Sequence, residues 1–328
     1  MIKTSILINI LVFIEHKGVV MNRVWVTGDA VVDLIPESEK SYLKCPGGAP
    51  ANVAVAVARL GGDSAFFGRA GQDPFGQFMK QTLNNEGVNT DFMVLDQAQR
   101  TSTVVVGLDQ SGERSFTFMV KPSADQFMLP TDIPDFSENQ WLHVCSIALA
   151  NEPSRSSTFL AMQKIKSAGG FISFDPNLRN EVWADQSEIK SVVLKAVAMA
   201  DVVKFSDDEL LFLTATKSID AGLKAIKKLH NTLLLITQGA KGALVVTRDN
   251  QELIAGKAVK PTDTTGAGDA FVGGLITYLA QNNHWSEIEH IRHAVQWANG
   301  CGALATTQKG AMTALPVKDQ LTQYLADF

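Results

Sequence analysis

Buried-strand patterns alternate with helical patterns along most of this chain, and the alternation limits the folds that the chain can adopt. Strands are predicted at 24–28, 65–69, 141–145, 171–175, 201–204, 232–237 and 243–247, with helical patterns between most of them. Strands that are buried on both faces and separated by helices are typical of a mostly parallel sheet covered on both sides. The chain is therefore predicted to be an α/β protein, and 328 residues with 45% hydrophobic content can bury a sizeable core.

Two segments interrupt the alternation. The ranges 31–47 and 92–120 have the pattern of antiparallel hairpin strands, and the second contains a turn signal at Gln110-Ser-Gly112. No linker rich in Pro, Gly or Ser divides the sequence, and no internal repeat is found. We therefore expect a single domain over residues 21–328 that carries these additional strands.

The first twenty residues are interpreted separately. Their apolar stretch, residues 5–14, is too short to span a bilayer, and no convincing small-residue cleavage site follows it. The organised pattern starts at Met21, because residues 23–27 read as the first buried strand. We interpret residues 1–20 as an N-terminal extension that is not native to the fold.

Charge and cysteine content narrow the class of protein. Lysine and arginine number 29 and aspartate and glutamate 34, which gives a net charge of −5, and no basic block is present. Nucleic acid and membrane partners are therefore not expected. The three cysteines, Cys45, Cys145 and Cys301, are widely spaced and form no CxxC pair. They favour a reducing compartment, and we expect the cytoplasm.

The segment DTTGAGD at residues 263–269 combines small residues with a carboxylate at the start of a helical pattern. Gly266, Ala267 and Gly268 leave backbone N–H groups unshielded at a helix N-terminus, and such a turn binds anions. A carboxylate is badly placed there for stability alone, so Asp269 is predicted to take a proton from a group beside a bound phosphate. An ordinary helix N-cap is the alternative interpretation of this short segment.

A second glycine-rich element lies at residues 45–52, directly before another helical pattern. Gly47 and Gly48 expose backbone, and Asn52 places an amide side chain where a polar ligand can lie against that backbone. Two such elements in one chain predict binding sites for two ligands.

Together, the two elements resemble the two signatures of the ribokinase-like (PfkB) carbohydrate kinases, and the resemblance extends from Met21 onward. It implies a three-layer αβα fold with a mostly parallel central sheet and a small β-sheet lid, whose strands come from 31–47 and 92–120. It also implies an ATP-dependent kinase that phosphorylates a sugar. The segments 28–33, 174–179, 204–209 and 306–316 most resemble the bacterial fructokinases of sucrose utilisation, so the expected product is fructose 6-phosphate.

The resemblance assigns sugar binding to six residues: Asp33, Gly47, Gly48, Asn52, Asn177 and Arg179. A turn before Pro36 would also explain Asp33, and a bland turn would explain Asn177. The pattern Asp-x-Asn-x-Arg at residues 175–179 also occurs in kinases of sugar acids. We therefore keep 2-keto-3-deoxygluconate and ribose as alternative substrates.

The resemblance assigns the nucleotide side to later elements, with ATP as the phosphate donor. The residues concerned are Lys204, Thr237, Gly239, Gly242, Asn299, Ala303 and Gly310. Glu209 is expected to hold Mg²⁺ through water, although Ser206 stands where many members have Asn. Asp263 and Thr265 lie near the position at which some relatives bind a monovalent cation, so activation by K⁺ is an open expectation.

Other interpretations have less support. GCGALA at residues 300–305 fits a loose dinucleotide-binding pattern, but it lies inside a helical pattern rather than after a strand. The GxxxxGK[ST] pattern of P-loop kinases is absent from the sequence. A regulator that binds sugar or nucleotide without catalysis is the alternative from another class. A homodimer paired through the lid is also considered.

Overall fold

A computed structural model describes residues 21–108, 114–229 and 232–326. Its strands are β1 (Val24–Thr27), β2 (Val31–Ser38), β3 (Ser41–Gly47), β4 (Ser64–Gly71), β5 (Met93–Asp96), β6 (Thr103–Leu108), β7 (Arg114–Phe118), β8 (Trp141–Cys145), β9 (Phe171–Asp175), β10 (Val202–Ser206), β11 (Leu233–Thr237), β12 (Ala243–Val246) and β13 (Gln251–Ile254). Its helices are α1 (Ala49–Arg59), α2 (Pro74–Asn85), α3 (Ser154–Ser167), α4 (Ile189–Met199), α5 (Asp207–Thr214), α6 (Ile219–Ile226), α7 (Ala267–Ala280), α8 (Ile288–Ala305) and α9 (Lys318–Ala326).

The main sheet has the strand order β13-β12-β11-β10-β9-β8-β1-β4-β5. All pairings from β11 through to β5 are parallel, whereas β12 and β13 form an antiparallel edge. The mostly parallel sheet predicted from the alternating patterns is therefore confirmed.

Helices cover both faces of this sheet. Side chains of successive strand residues point to opposite faces. In β1, Val24 and Val26 accordingly join the core that contains residues of α1, α2, α7, α8 and α9, while Trp25 joins the core formed with α3 to α6. The two apolar cores give the three-layer αβα arrangement, and every β1 residue is buried.

A separate four-stranded sheet has the order β3-β2-β6-β7. The two hairpins β2–β3 and β6–β7 are antiparallel, and β2 pairs with β6 in parallel. The predicted range 92–120 for the lid starts too early, because β5 pairs with β4 at the edge of the main sheet and buries Met93 in its core. The turn predicted at residues 110–112 and the extension predicted at residues 1–20 lie outside the described residues.

Helix α8 contains residues 300–305, so the dinucleotide-binding pattern lacks the strand-to-helix turn that it requires. Among the helices of the described ranges, none combines the length and the apolar character needed to cross a membrane.

Candidate active site

Polar side chains meet where the chain order of the main sheet reverses. The strands β4 and β5 continue from one side of β1, and β8 to β11 continue from the other side. Ligands of open α/β sheets bind outside the carboxyl ends of the strands at such a reversal. Asp29 follows β1, Cys145 ends β8 and Asp175 ends β9, so these side chains lie at that edge.

Asp269 lies in the first turn of α7 and is buried, with 8% of its surface exposed. Its Oδ2 accepts a hydrogen bond of 2.8 Å from Nδ2 of Asn52, and its Oδ1 accepts one of 3.3 Å from Nδ2 of Asn177. Burial raises the pKa of Asp269, and the bond from Asn52 and the charge of Lys204 oppose that increase. A carboxylate that is fixed by two amides and made more basic by burial is suited to accept a proton.

The turn before α7 has the backbone that the sequence predicts for an anion site. Gly266 caps the helix in the left-handed region at φ 76°, and a Cβ there would lie 2.9 Å from Cα of Ala311. The first N–H groups of a helix have no acceptor within the helix, and the helix dipole favours negative charge beside them. Nζ of Lys204 lies 3.5 Å from the position of a Cβ on Gly268, which adds a positive charge beneath the turn.

On one side of this turn lies a cavity of about 410 Å³, which we name the Asp269 cavity. Its wall includes five of the residues predicted to bind sugar: Asp33, Gly48, Asn52, Asn177 and Arg179. The sixth, Gly47, lies behind Asp33, because a side chain on Gly47 would collide with the Asp33 carboxylate. Val104 and Phe118 from the four-stranded sheet complete the wall, so this sheet covers the cavity as a lid.

Asp29 and Glu181 line the Asp269 cavity without having been predicted. Burial raises the pKa of Asp29 to about 8, and the nearby carboxylate of Asp125 raises it further. Oδ1 of Asp29 is buried without a hydrogen-bond partner among the described residues. Its place directly after the first strand was the available sequence signal, whereas nothing local marks Glu181.

A second cavity, of about 350 Å³, lies on the other side of the turn, and we name it the Ala303 cavity. Its wall includes five of the residues predicted for the nucleotide: Thr237, Gly239, Gly242, Asn299 and Ala303. The turn contributes to both cavities: Gly266 and Asp269 face the Asp269 cavity, and Ala267 and Gly268 face the Ala303 cavity. A group held over the turn is therefore shared between two ligands.

The model of the pfkB family carbohydrate kinases matches residues 21–318. The chain belongs to this family. The family assignment and the ribokinase-like fold predicted from the two glycine-rich elements are confirmed.

Several well-covered relatives of this kinase are called fructokinase. The chain is 67% identical to the fructokinase of Vibrio alginolyticus over 93% of this chain and 99% of the relative. It is 50% identical to the fructokinase of Escherichia coli, with 91% and 98% covered. The structure of a Vibrio cholerae O395 fructokinase with fructose, ADP and calcium ion bound has a TM-score of 0.89 and 63% sequence identity, with 93% of this chain and 99% of that chain covered.

Lys204 does not line the Ala303 cavity of the kinase, in contrast to its predicted place beside the nucleotide. It is buried, and its Nζ lies 3.0 Å and 3.2 Å from the two carboxylate oxygens of Asp175 on the neighbouring strand. Burial lowers the pKa of Lys204, but Asp175 and Glu209 outweigh this effect and raise it overall. Burial raises the pKa of Asp175 to about 7, although the charge of Lys204 opposes the increase.

Gly310 also lies outside the wall of the Ala303 cavity. Its N–H donates to Oδ2 of Asp263 at 2.9 Å, which ties the turn at Gly310 to the segment before α7. Oδ1 of the same carboxylate accepts from the amide and the hydroxyl of Thr265, at 3.1 Å and 2.7 Å. Asp263 and Thr265 therefore brace the loop that leads into the anion-binding turn.

Glu209, the predicted magnesium residue, forms a capping box at the start of α5. Its Oε2 accepts from the amide of Ser206 at 2.9 Å, and its Oε1 accepts from the amide of Leu178 at 3.1 Å. Nowhere in the described ranges do three or more His, Cys, Asp or Glu side chains form a group that could hold a metal ion. Each carboxylate oxygen retains a second acceptor position, so the donor set fits contact through water rather than a protein cage.

Proposed function

We propose that this enzyme transfers the γ-phosphate of ATP to the 6-hydroxyl of D-fructose. The observation that carries the proposal is the turn at residues 266–269, which separates two cavities and contributes to both. The fructokinase relatives at 50–67% identity support fructose as the sugar. The bound fructose and ADP of the similar Vibrio cholerae structure support the assignment of one ligand to each cavity.

In the proposed reaction, the sugar lies in the Asp269 cavity, where the carboxylate, amide and guanidinium groups of Asp33, Asn52, Asn177 and Arg179 can bond its hydroxyls. The nucleotide lies in the Ala303 cavity, with its γ-phosphate over Gly266, Ala267 and Gly268. The sugar oxygen forms a bond to the γ-phosphorus, the bond to the β,γ-bridging oxygen of ATP breaks, and ADP leaves.

Asp269 accepts the proton that the 6-hydroxyl loses in this step. Asn52 and Asn177 hold its two carboxylate oxygens, so the carboxylate is oriented before the sugar arrives. Phosphoryl transfer depends mainly on positioning and on neutralisation of the spreading negative charge. The helix amides and the ammonium of Lys204 beneath Gly268 supply that neutralisation. Closure of the lid residues over the cavity excludes water and so limits hydrolysis of ATP.

Magnesium is proposed as the divalent ion, since with ATP it supplies positive charge to the phosphate oxygens. Glu209 would contact it through water. Asp263 and Thr265 are proposed to lie beside a monovalent cation, with K⁺ as the candidate. Removal of Mg²⁺ with EDTA is expected to abolish turnover, and exchange of K⁺ for tetramethylammonium tests the activation by K⁺.

The cytoplasm is proposed as the location, and the free thiols of Cys45, Cys145 and Cys301 support a reducing compartment. The homodimer through the lid also stays a proposal. The exposed side chains of Tyr42 and Leu43 on β3 support it, because they place apolar surface on the lid.

The proposed function is tested by initial rates with MgATP and D-fructose, D-ribose, 2-keto-3-deoxygluconate, D-glucose or a nucleoside, each with and without K⁺. The expected result is the highest kcat/KM for fructose and a product identified as fructose 6-phosphate. A higher kcat/KM for another sugar would move the assignment to that sugar. Binding of ATP or sugar without turnover of any of them would favour the regulator.

A further inference from the structure

A third cavity adjoins the Asp269 cavity, and the proposed reaction does not use it. Its volume is about 460 Å³, which is within the range of small-molecule sites. Three residues line both cavities: Phe118 from the lid, Ile147 after β8, and Glu181. We name it the Trp183 cavity after the largest aromatic side chain in its wall.

The shared residues fix which end of a bound sugar faces the Trp183 cavity. Asp269 and Asn52, which mark the hydroxyl that receives the phosphate, line only the Asp269 cavity. Phe118, Ile147 and Glu181 therefore contact the part of the ligand that takes no part in phosphate transfer. In a fructofuranose ring whose 6-hydroxyl faces Asp269, that part carries the anomeric carbon and its substituent.

The wall of the Trp183 cavity combines an aromatic side chain with fixed polar groups. Trp183 is 5% exposed, and its indole N–H is buried without an acceptor among the described residues. Asp125, also 5% exposed, accepts a hydrogen bond of 2.5 Å from the hydroxyl of Ser123 and another from the side-chain amide of Gln126. Aromatic rings beside a few placed polar groups are typical of sites that bind small polar molecules.

A chain of hydrogen bonds holds these polar groups in place. Gln126 donates to the carbonyl of Ile147 at 3.2 Å and accepts from Asn151 at 3.1 Å. Asn151 also donates to the carbonyl of Val182 at 2.9 Å and accepts from the amide of Ala184 at 3.1 Å. The segments after the lid, after β8 and after β9 are thereby joined, so the wall is ordered before a ligand binds.

We propose that the Trp183 cavity is a subsite for a second sugar ring, which allows the enzyme to phosphorylate a fructofuranosyl disaccharide at the free 6-hydroxyl of its fructose unit. This inference rests on the proposed function. The bond changes are those of the fructose reaction: the 6-oxygen bonds to the γ-phosphorus, ADP leaves, and Asp269 takes the proton. The glycosidic bond stays intact.

Sucrose is the probe, because its fructose unit has a free 6-hydroxyl and carries a glucose ring on the anomeric oxygen. Methyl β-D-fructofuranoside is the matched small glycoside. Phosphorylation of sucrose by the purified full chain is measured from ADP release and from the mass of a sucrose monophosphate, with fructose assayed in parallel. The sucrose must first be freed of fructose, so that the ADP signal reports the disaccharide alone.

The matched variants are Ala184→Trp and Ala184→Ser. Ala184 is exposed and lines the Trp183 cavity without lining the Asp269 cavity, so a large side chain there narrows the proposed subsite and leaves the fructose contacts in place. Ala184→Trp is expected to lower kcat/KM for sucrose by at least about tenfold, with values for fructose and the methyl glycoside within about twofold. Ala184→Ser is expected to leave all three unchanged.

The inference is overturned if sucrose is neither phosphorylated nor competitive with fructose while fructose itself is turned over. It is also overturned if Ala184→Trp lowers kcat/KM equally for sucrose and fructose. Failure of fructose turnover in the same assays would instead contradict the proposed function, so the two failures are distinguishable.

Discussion

Nδ2 of Asn52 donates a 2.8 Å hydrogen bond to Oδ2 of Asp269, across a separation of 217 residues in the chain. The bond joins the start of α1 to the start of α7, and so connects the two glycine-rich elements of the sequence. Asn52 therefore controls both the orientation of the proposed base and its affinity for a proton.

Removal of that bond is expected to shift the pH dependence of turnover. Burial raises the pKa of Asp269 and the bond from Asn52 lowers it, so in Asn52→Ala the pKa rises and the base stays protonated to higher pH. The acidic limb of the kcat profile should move upward by about one pH unit, since a hydrogen bond to a charged group contributes about 1.5–3 kcal/mol. Rates at saturating fructose from pH 5 to pH 9 measure the shift.

Asn177→Gly is the matched variant for this measurement. Asn177 makes the longer, 3.3 Å bond to Asp269, and its φ of 39° is one that glycine adopts without strain. Its shift should have the same sign and a smaller size. An unchanged acidic limb in Asn52→Ala would show that the bond does not tune the base.

Gly266→Ala is expected to damage turnover more than stability. The residue has a φ of 76°, and the added Cβ would lie 2.9 Å from Cα of Ala311, so the turn that holds the phosphate must shift. Loss of one donor to a developing charge lowers kcat by about 10²-fold. Gly87→Ala is the control, because Gly87 has a similar φ of 84° and an added Cβ there would have ordinary contact distances. If both variants keep normal kcat, the turn does not stabilise the transferred group.

Lys204→Met should destabilise the enzyme by about 3–5 kcal/mol at pH 8, because it leaves the buried Asp175 without its partner. The loss should be smaller at pH 5, where burial has already raised the pKa of Asp175 and the carboxyl is protonated. Urea unfolding at both pH values measures it. The exposed Lys164 provides the control variant Lys164→Met, and equal losses for the two variants would contradict an ion pair that matters for the fold.

Asp29→Asn should stabilise the ligand-free enzyme at alkaline pH. Burial raises the pKa of Asp29 to about 8, whereas an unfolded aspartate titrates near about 4, so the wild-type enzyme loses stability as pH rises between these values. Asparagine carries no charge and removes that loss. The free energy of unfolding should therefore exceed the wild-type value at pH 8 and lie close to it at pH 4. A variant that is less stable at pH 8 would show that the ionised carboxylate is compensated in the fold.

Local patterns predicted the central part of the site. The predicted bounds of β8 and β9 agree with the structure, and the glycine-rich segment before α7 has the left-handed turn and buried carboxylate that its sequence indicates. These features depend on short-range chemistry, because a strand needs apolar residues and Gly266 needs a backbone that other residues avoid.

Features that depend on distant contacts were less predictable. Lys204 was assigned to the nucleotide, but the pleat of β10 directs it toward Asp175 on the adjacent strand. The capping box formed by Ser206 and Glu209 was visible in the sequence as Ser-x-x-Glu and gives Glu209 a structural role. Phe118 and Glu181 reach the Asp269 cavity only because the lid and the segment after β9 come together.

The central claim, that Asp269 is the base of a sugar kinase, is tested most directly by Asp269→Asn. Turnover of fructose by the variant is compared with that of the wild type and of Asp208→Asn, which alters an exposed carboxylate at the start of α5. Calorimetry measures the binding of fructose and of ADP to each protein. We expect Asp269→Asn to retain both ligands and lose about 10²-fold or more in kcat, in line with general-base catalysis, while Asp208→Asn stays close to wild type. Near-normal kcat in Asp269→Asn would contradict the account.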